Sequence, residues 1–131
     1  MDKIKLILLI DDDEINNFLN KRLFLKLGIA EEVAVVLNGA EGLKFIKEHC
    51  GNGNSCPELI IIDINMPVMD GFQFLKHFQD MPLERKGDIV LVMLTTSSSP
   101  LDLELVSKYQ VSGYVTKPLT EEKINYIKNL L

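Results

Sequence analysis

Residues 6–14 read LILLIDDDE, an apolar run that stops at three aspartates and a glutamate. A short, unbroken run of branched apolar side chains is typical of a strand that is buried on both faces of a parallel sheet. Adjacent carboxylates repel one another, so four acids at the end of such a strand indicate a site that offsets their charge. What the rest of the chain places near this cluster decides its role.

Similar short runs, rich in β-branched residues, recur along the chain and predict five strands. They lie at residues 4–10, 33–37, 59–62, 89–94 and 114–116. Apolar residues at three- and four-residue spacing follow each strand and predict five amphipathic helices, in the windows 15–27, 40–50, 74–78, 101–109 and 124–131. This alternation predicts an α/β fold, a five-stranded parallel sheet with right-handed crossovers and helices on both faces.

Residues that start or end helices agree with these windows. Gly28 follows the first helix, where a left-handed residue is favoured, and Asn38 can cap the second helix. Ser99 and Pro100 give the fourth helix a cap and a proline at its first position, and Thr120 can cap the last helix.

Acids near helix starts have the same local interpretation. Asp13 and Glu14 are placed to begin the first helix, where negative charge meets the positive end of the helix dipole. Asp70 and Gly71 predict a cap followed by a flexible turn at the start of the third helix.

The composition is that of a single folded domain covering residues 1–131. The chain is 47% hydrophobic and 25% charged, and its length suits one core rather than two. No stretch approaches the roughly 18 apolar residues of a membrane span, and no cleavage site follows the N-terminal run, so we expect a cytoplasmic protein with no membrane partner. The net charge of −5 argues against direct binding to nucleic acid.

The two cysteines, Cys50 and Cys56, lie close together in the sequence. No histidine or further cysteine stands at metal-ligand spacing, so a zinc site is disfavoured. For a cytosolic chain, the composition predicts reduced thiols in or beside a loop.

Polar residues follow four of the predicted strands. Asp11 and Asp12 follow the first strand, Asp63 the third, Thr95 the fourth and Lys117 the fifth. Ligand sites of open parallel sheets form outside the carboxyl ends of the strands, so we expect these side chains to converge. Carboxylates without histidine or thiolate favour Mg²⁺, while a lysine and a hydroxyl suit a phosphoryl group. Asp63, which stands alone on its strand opposite the acidic pair, is the candidate nucleophile.

These residues resemble the receiver domain of two-component response regulators, and in particular the single-domain chemotaxis regulators. The resemblance lies in LLIDDDEIN at 8–16, LIIIDINMPVMDG at 59–71, VMLTTS at 92–97 and GYVTKP at 113–118. It covers essentially the whole chain and implies a flavodoxin-like, doubly wound (βα)5 fold with strand order 2-1-3-4-5.

The resemblance also implies roles for residues of the acidic site. Asp63 would be the aspartate that a histidine kinase phosphorylates. Asp12 would bind Mg²⁺ directly, Asp11 would act mainly through coordinated water, and Asn65 would offer its main-chain carbonyl to the metal.

Three further residues acquire roles in the same way. Lys117 would contact the phosphoryl group, in a Lys117–Pro118 peptide bond that is usually cis in the family. Thr95 would hydrogen-bond to the phosphoryl group, and Tyr114 would be an aromatic switch whose rotamer follows the movement of Thr95. The output surface would be the fourth helix, fifth strand and fifth helix, roughly residues 100–131.

The resemblance finally implies partners. We expect a sensor histidine kinase or a histidine phosphotransfer protein as the donor, a downstream protein as the target, and a monomer or a phosphorylation-dependent dimer. The protein would be a phosphoacceptor signalling domain that catalyses at most its own phosphorylation and dephosphorylation, rather than a turnover enzyme.

Two rival interpretations belong to other classes. Haloacid-dehalogenase-type phosphatases begin with a strand followed by D-x-D, which residues 11–13 satisfy, so Asp11 would be the nucleophile of a true enzyme. Against this, the chain is short for a phosphatase with a lid, and the IDINMP motif stays unexplained. A non-phosphorylated interaction module would require the loss of a key residue, and none is lost.

Overall fold

Five strands and four helices lie in the part of the chain that the computed structural model describes, which is residues 3–50, 56–66, 68–83, 88–96, 104, 107–109 and 111–131. The strands are β1 (Ile4–Ile10), β2 (Ala30–Val36), β3 (Leu59–Asp63), β4 (Val90–Thr95) and β5 (Gly113–Thr116). The helices are α1 (Glu14–Lys26), α2 (Gly39–Cys50), α3 (Gly71–Gln79) and α4 (Glu121–Lys128). Most of the predicted helical window at 101–109, with its Ser99–Pro100 start, lies outside the described residues.

The strands form one parallel sheet in the order β2-β1-β3-β4-β5, which confirms the predicted topology. Ile10 of β1 pairs with Ile62 of β3, and Asp63 pairs with Leu94 of β4. The residues that follow these pairs therefore leave the sheet at the same edge. β1 and β3, which lie in the middle of the sheet, are buried along nearly their whole length, as their unbroken apolar runs predict.

The helices cover both faces of the sheet, and each face has its own core. On one face, α1 and α4 contribute Phe24, Ile124 and Ile127 to a cluster that contains Ile7 and Leu9 of β1. On the other face, α2 and α3 pack their apolar side chains against the alternate strand residues, among them Leu8, Ile10, Ile60 and Ile62. Because successive side chains of a strand point to opposite faces, one apolar run supplies both cores.

The predicted helix ends that fall on described residues are confirmed. Asp13 caps α1 through its side-chain oxygen, Asp70 forms a capping box at the start of α3, and Thr120 caps α4. The side chain of Asn38 accepts a hydrogen bond from a main-chain N–H in the first turn of α2. Gly28 has a φ of 67°, the left-handed conformation that glycine adopts without steric cost.

The start of β2 differs from the sequence prediction. The strand begins at Ala30 rather than at residue 33, so Glu31 and Glu32 lie within it and are exposed. β2 is at the edge of the sheet, where charged side chains can face solvent and discourage pairing with another chain. The apolar run shows only the buried part of this strand.

The prediction of reduced thiols is wrong. Cys50, the last residue of α2, and Cys56, shortly before β3, form a disulfide with a Cα–Cα distance of 4.5 Å. The end of α2 and the residues just before β3 lie close enough for this bond, which composition cannot reveal. None of the described helices has the combined length and hydropathy needed to cross a bilayer.

Reduction of this disulfide is expected to destabilise the protein modestly. The cysteines are six positions apart, and a bridge that closes so short a loop contributes about 2 kcal/mol through the entropy of the unfolded chain. Urea unfolding with and without a phosphine reductant measures the effect, with a Cys50→Ser, Cys56→Ser double variant as the insensitive control. Identical curves for the wild type would show that the bridge is absent in solution.

Candidate functional site

Four polar side chains meet at the carboxyl edge of the sheet, as the strand ends predicted. Asp11 follows β1, Asp63 ends β3, Thr95 ends β4 and Lys117 follows β5. Asp11, Asp63 and Thr95 are buried, with exposed fractions of 3%, 5% and 0%. The main-chain N–H of Lys117 donates to the Thr95 carbonyl at 2.6 Å and so fixes the lysine beside β4.

Three carboxylates form the acidic part of the site. Asp11, Asp12 and Asp63 each place one oxygen so that all three lie within 4.8 Å of one another. Oxygens on opposite sides of a Mg²⁺ ion are about 4.2 Å apart, since each Mg–O distance is about 2.1 Å. The present spacing is therefore close to that of a metal cage, and an all-oxygen donor set suits Mg²⁺.

Lys117 links two of these carboxylates. Its Nζ lies 3.0 Å from Asp11 Oδ2 and 3.5 Å from Asp63 Oδ2. Asp11 Oδ2 is fully buried, and the Lys117 ammonium group beside it offsets its negative charge. The Lys117–Pro118 peptide bond is cis, as the family resemblance implied.

The surroundings shift the acidity of both partners. Burial, together with the charge of Asp11, raises the pKa of Asp63 from 3.8 to about 6, although Lys117 and the main-chain N–H of Asn65 act in the opposite direction. Burial alone would lower the pKa of Lys117, but the carboxylates of Asp11 and Asp63 outweigh it and raise that pKa above its usual value. The lysine is therefore a permanent positive charge in this cleft.

Asp13 belongs to the helix and not to the metal cluster. Its Oδ1 accepts from the main-chain N–H groups of Ile15 and Asn16, and its own N–H donates to Asp11 Oδ1 at 3.0 Å. The consecutive acids thus divide as the sequence predicted, with two near the metal position and one at the start of α1.

Gly71 is required for close packing rather than for a flexible turn, which corrects the sequence interpretation. It is the first residue of α3, and its N–H donates to the Ile64 carbonyl at 2.8 Å. A Cβ at this position would lie 2.8 Å from the Asp63 carbonyl oxygen and 2.9 Å from Ile64 Cα. Glycine therefore lets α3 begin directly against the strand end that carries Asp63.

Asn65 and Tyr114 are the two remaining residues with predicted roles at the site. Asn65 is exposed, two residues beyond Asp63, with its main-chain N–H directed at the Asp63 carboxylate. Tyr114 is half-buried on β5, pairs with Met93 of β4, and packs in the core on the α2/α3 side. Its role as a switch, and that of the Asn65 carbonyl as a ligand, stay predictions.

Two polar residues that support the site were missed in the sequence. Lys123 of α4 donates through Nζ to the carbonyls of Thr116 and Pro118, at 2.7 and 3.0 Å, and so ties down the turn that carries Lys117. Asn17 of α1 is buried and donates to the Asp11 carbonyl at 2.7 Å. Asn17 could have been noticed as a polar residue seven positions before Phe24, and so on the same buried face of the helix. No pattern in the sequence distinguishes Lys123.

The fold and the acidic cleft define an α/β domain of the kind that handles phosphoryl groups at the ends of its strands. The family model for the response regulator receiver domain matches residues 7–127, and the chain belongs to that family. This match leaves the haloacid-dehalogenase interpretation without support, because the IDINMP motif and the cleft both follow the receiver pattern.

Individual relatives agree with the family assignment. A probable methanogenesis regulatory protein of Methanothrix harundinacea is 32% identical over 91% of this chain and 76% of its own length. Two-component response regulator 24 of Arabidopsis thaliana is 30% identical over 89% of this chain and 76% of its own length. Among solved structures, a two-component response regulator from Cytophaga hutchinsonii superposes with a TM-score of 0.89 at 33% identity, covering 98% of this chain and 96% of its own.

The raised pKa of Asp63 predicts a specific pH dependence of stability in metal-free buffer. A carboxyl group whose pKa is higher in the folded state contributes stability that is complete below its unfolded pKa of 3.8 and is lost as the pH rises through about 6. Asp63→Asn should remove this contribution. The unfolding free energy of the Asp63→Asn variant, relative to that of the wild type, should therefore increase between about pH 4 and pH 7.

Urea unfolding of both proteins across this range, in the presence of a chelator, measures the difference. Asp80→Asn, an exposed cap residue at the end of α3, is the matched control and should show no such growth. A constant difference between wild type and Asp63→Asn would mean that Asp63 titrates at its ordinary pKa.

Proposed function

We propose that this receiver domain accepts a phosphoryl group on the Asp63 carboxylate, with Mg²⁺ bound by Asp11, Asp12, Asp63 and the main-chain carbonyl of Asn65. The observation that carries the proposal is the position of Asp63. It is buried at the end of a central strand, within 4.8 Å of two further carboxylates and 3.5 Å from a lysine ammonium group.

The chemistry asks mainly for orientation and charge. A carboxylate oxygen of Asp63 attacks phosphorus, the bond from phosphorus to the donor nitrogen or oxygen breaks, and its electron pair leaves with the donor group. Lys117 and the Thr95 hydroxyl would hold oxygens of the transferred group. A metal ion held by the carboxylates would supply further positive charge to the transferred group.

The phosphorylated state would be read through Thr95 and Tyr114. These residues lie on the paired strands β4 and β5, and Thr95 pairs with Thr116, two residues beyond Tyr114. Drawing the Thr95 hydroxyl toward an acyl phosphate would change the space available to the half-buried tyrosine ring. The output surface would include β5 and α4; the helix between β4 and β5 lies mostly outside the described residues.

The donor would be a protein that carries phosphohistidine, either a sensor histidine kinase or a histidine phosphotransfer protein. An apolar patch on α1 supports a protein donor: Ile15, Phe18 and Leu19, at helical spacing, are 73%, 64% and 51% exposed. The patch begins three residues after Asp12, beside the cleft, and would contact the donor while its histidine reaches Asp63. We further propose that residues 1–131 act as one cytoplasmic domain with a protein target.

Covalent labelling tests the proposed acceptor. Acetyl phosphate with Mg²⁺ should add one phosphoryl group to the wild type, detectable as an intact-mass increase, and chelator should suppress it. Asp63→Asn should abolish the labelling because the nucleophilic oxygen is gone, whereas Asp13→Asn, which changes the neighbouring helix cap, should leave it largely intact.

The same experiment separates the receiver from the phosphatase. Labelling that survives in Asp63→Asn but disappears in Asp11→Asn would place the nucleophile at Asp11. Steady release of phosphate from generic phosphomonoesters would likewise favour a turnover enzyme.

The α1 patch predicts a difference between small and protein donors. Phe18→Ser should slow transfer from a phosphorylated histidine kinase that labels the wild type by about 10-fold, since an exposed aromatic anchor is lost. Its rate with acetyl phosphate should be unchanged. Tyr126→Ser, a change at an exposed aromatic of α4, is the control. Equal slowing with both donors would mean that Phe18 supports the cleft itself rather than docking.

A further inference from the structure

A buried asparagine on α1 is not explained by packing. Asn17 and Phe24 are the two buried residues of this helix, and they lie on the same face, seven positions apart. An apolar side chain would suit a core position of this kind better than an amide, which must find hydrogen-bond partners when it is buried. Asn17 is only 3% exposed, so the hydrogen-bond partners of its amide need to be identified.

The contacts of Asn17 fix the orientation of its amide group. Nδ2 donates to the Asp11 carbonyl oxygen at 2.7 Å. A carbonyl can only accept, so the nitrogen must face Asp11, and Oδ1 is left buried without a hydrogen-bond partner among the described residues. The hydrogen bond to the Asp11 carbonyl is therefore the contact that sets how the Asn17 amide is oriented.

This hydrogen bond completes the anchoring of Asp11. The Asp11 N–H donates to the Val36 carbonyl at 3.2 Å, and Asp11 Oδ1 accepts from the Asp13 N–H at 3.0 Å. The carbonyl held by Asn17 lies in the peptide plane that joins Asp11 to Asp12. Fixing that plane fixes the direction in which both side chains leave the main chain just beyond β1.

We propose that Asn17 is a positioning residue for metal binding: its amide fixes the peptide plane between Asp11 and Asp12 and thereby aims both carboxylates at the metal position. The inference rests on the proposed function, because it takes the acidic cluster to be a Mg²⁺ site. Groups that orient a metal ligand through one hydrogen bond change metal affinity about 10- to 100-fold when they are removed.

Isothermal titration of the whole chain with Mg²⁺ tests this role. Asn17→Leu keeps a similar shape and removes the donor, and should weaken Mg²⁺ binding about 10-fold. Asn17→Ala, a substitution that favours helix formation, should weaken Mg²⁺ binding by a similar factor. It replaces the leucine variant if that variant does not fold. Asn16→Leu is the matched control, since Asn16 contacts Asp13 and not Asp11, and should stay within about twofold of the wild type.

A second readout separates positioning from a general loss of structure. At saturating Mg²⁺, acetyl phosphate should label Asp63 in Asn17→Leu nearly as fast as in the wild type, because the defect lies in metal affinity. Folded Asn17 variants that bind Mg²⁺ as tightly as the wild type would overturn the proposal and reduce Asn17 to a core residue. We expect weakened Mg²⁺ binding in the Asn17 variants only. If the wild type itself binds no Mg²⁺, the proposed function fails and this inference fails with it.

Discussion

Charge repulsion at one edge of the sheet is the constraint on which the rest of the structure depends. Asp11, Asp12 and Asp63 bring three carboxylates within 4.8 Å, with the Lys117 ammonium group beside them. At an effective dielectric constant of about 20, two like charges 4 Å apart repel by about 4 kcal/mol. Three negative charges and one positive charge leave an excess of two, which is the charge that a divalent cation balances.

Contacts outside the acidic cluster hold its charged residues in position. Buried pairing of β1 with β3 and of β3 with β4 sets the register at which Asp11, Asp63 and Thr95 leave the sheet. The absence of a side chain at Gly71 lets α3 start against the Asp63 main chain. Lys123 ties down the turn that carries Lys117. These contacts hold the charged residues at the edge of the sheet although the charges repel one another.

Much of this arrangement could be predicted from the sequence because it depends on local rules. Apolar runs marked the central strands, and side-chain caps at Asp13, Asn38 and Thr120 marked the helix starts. Convergence of the strand-end residues followed from parallel topology, so the cleft could be predicted before any coordinates.

The features that were missed depend on neighbours in space. β2 begins at Ala30 because an edge strand tolerates Glu31 and Glu32, which a search for apolar runs passes over. The disulfide depends on the end of α2 lying close to the residues before β3, and Gly71 is needed for an approach between two elements that no local pattern describes. Asn17 looked like an ordinary polar helix residue until its helix face was known to be buried.

A crystal structure of the protein with Mg²⁺ and beryllofluoride, a phosphoryl analogue, tests whether this cluster is a metal site whose nucleophile is Asp63. We expect beryllium bonded to an Asp63 oxygen, fluorines in contact with Lys117 and Thr95, and the metal ion among Asp11, Asp12, Asp63 and the Asn65 carbonyl. Beryllofluoride bonded to Asp11, or a metal ion held away from Asp63, would contradict it.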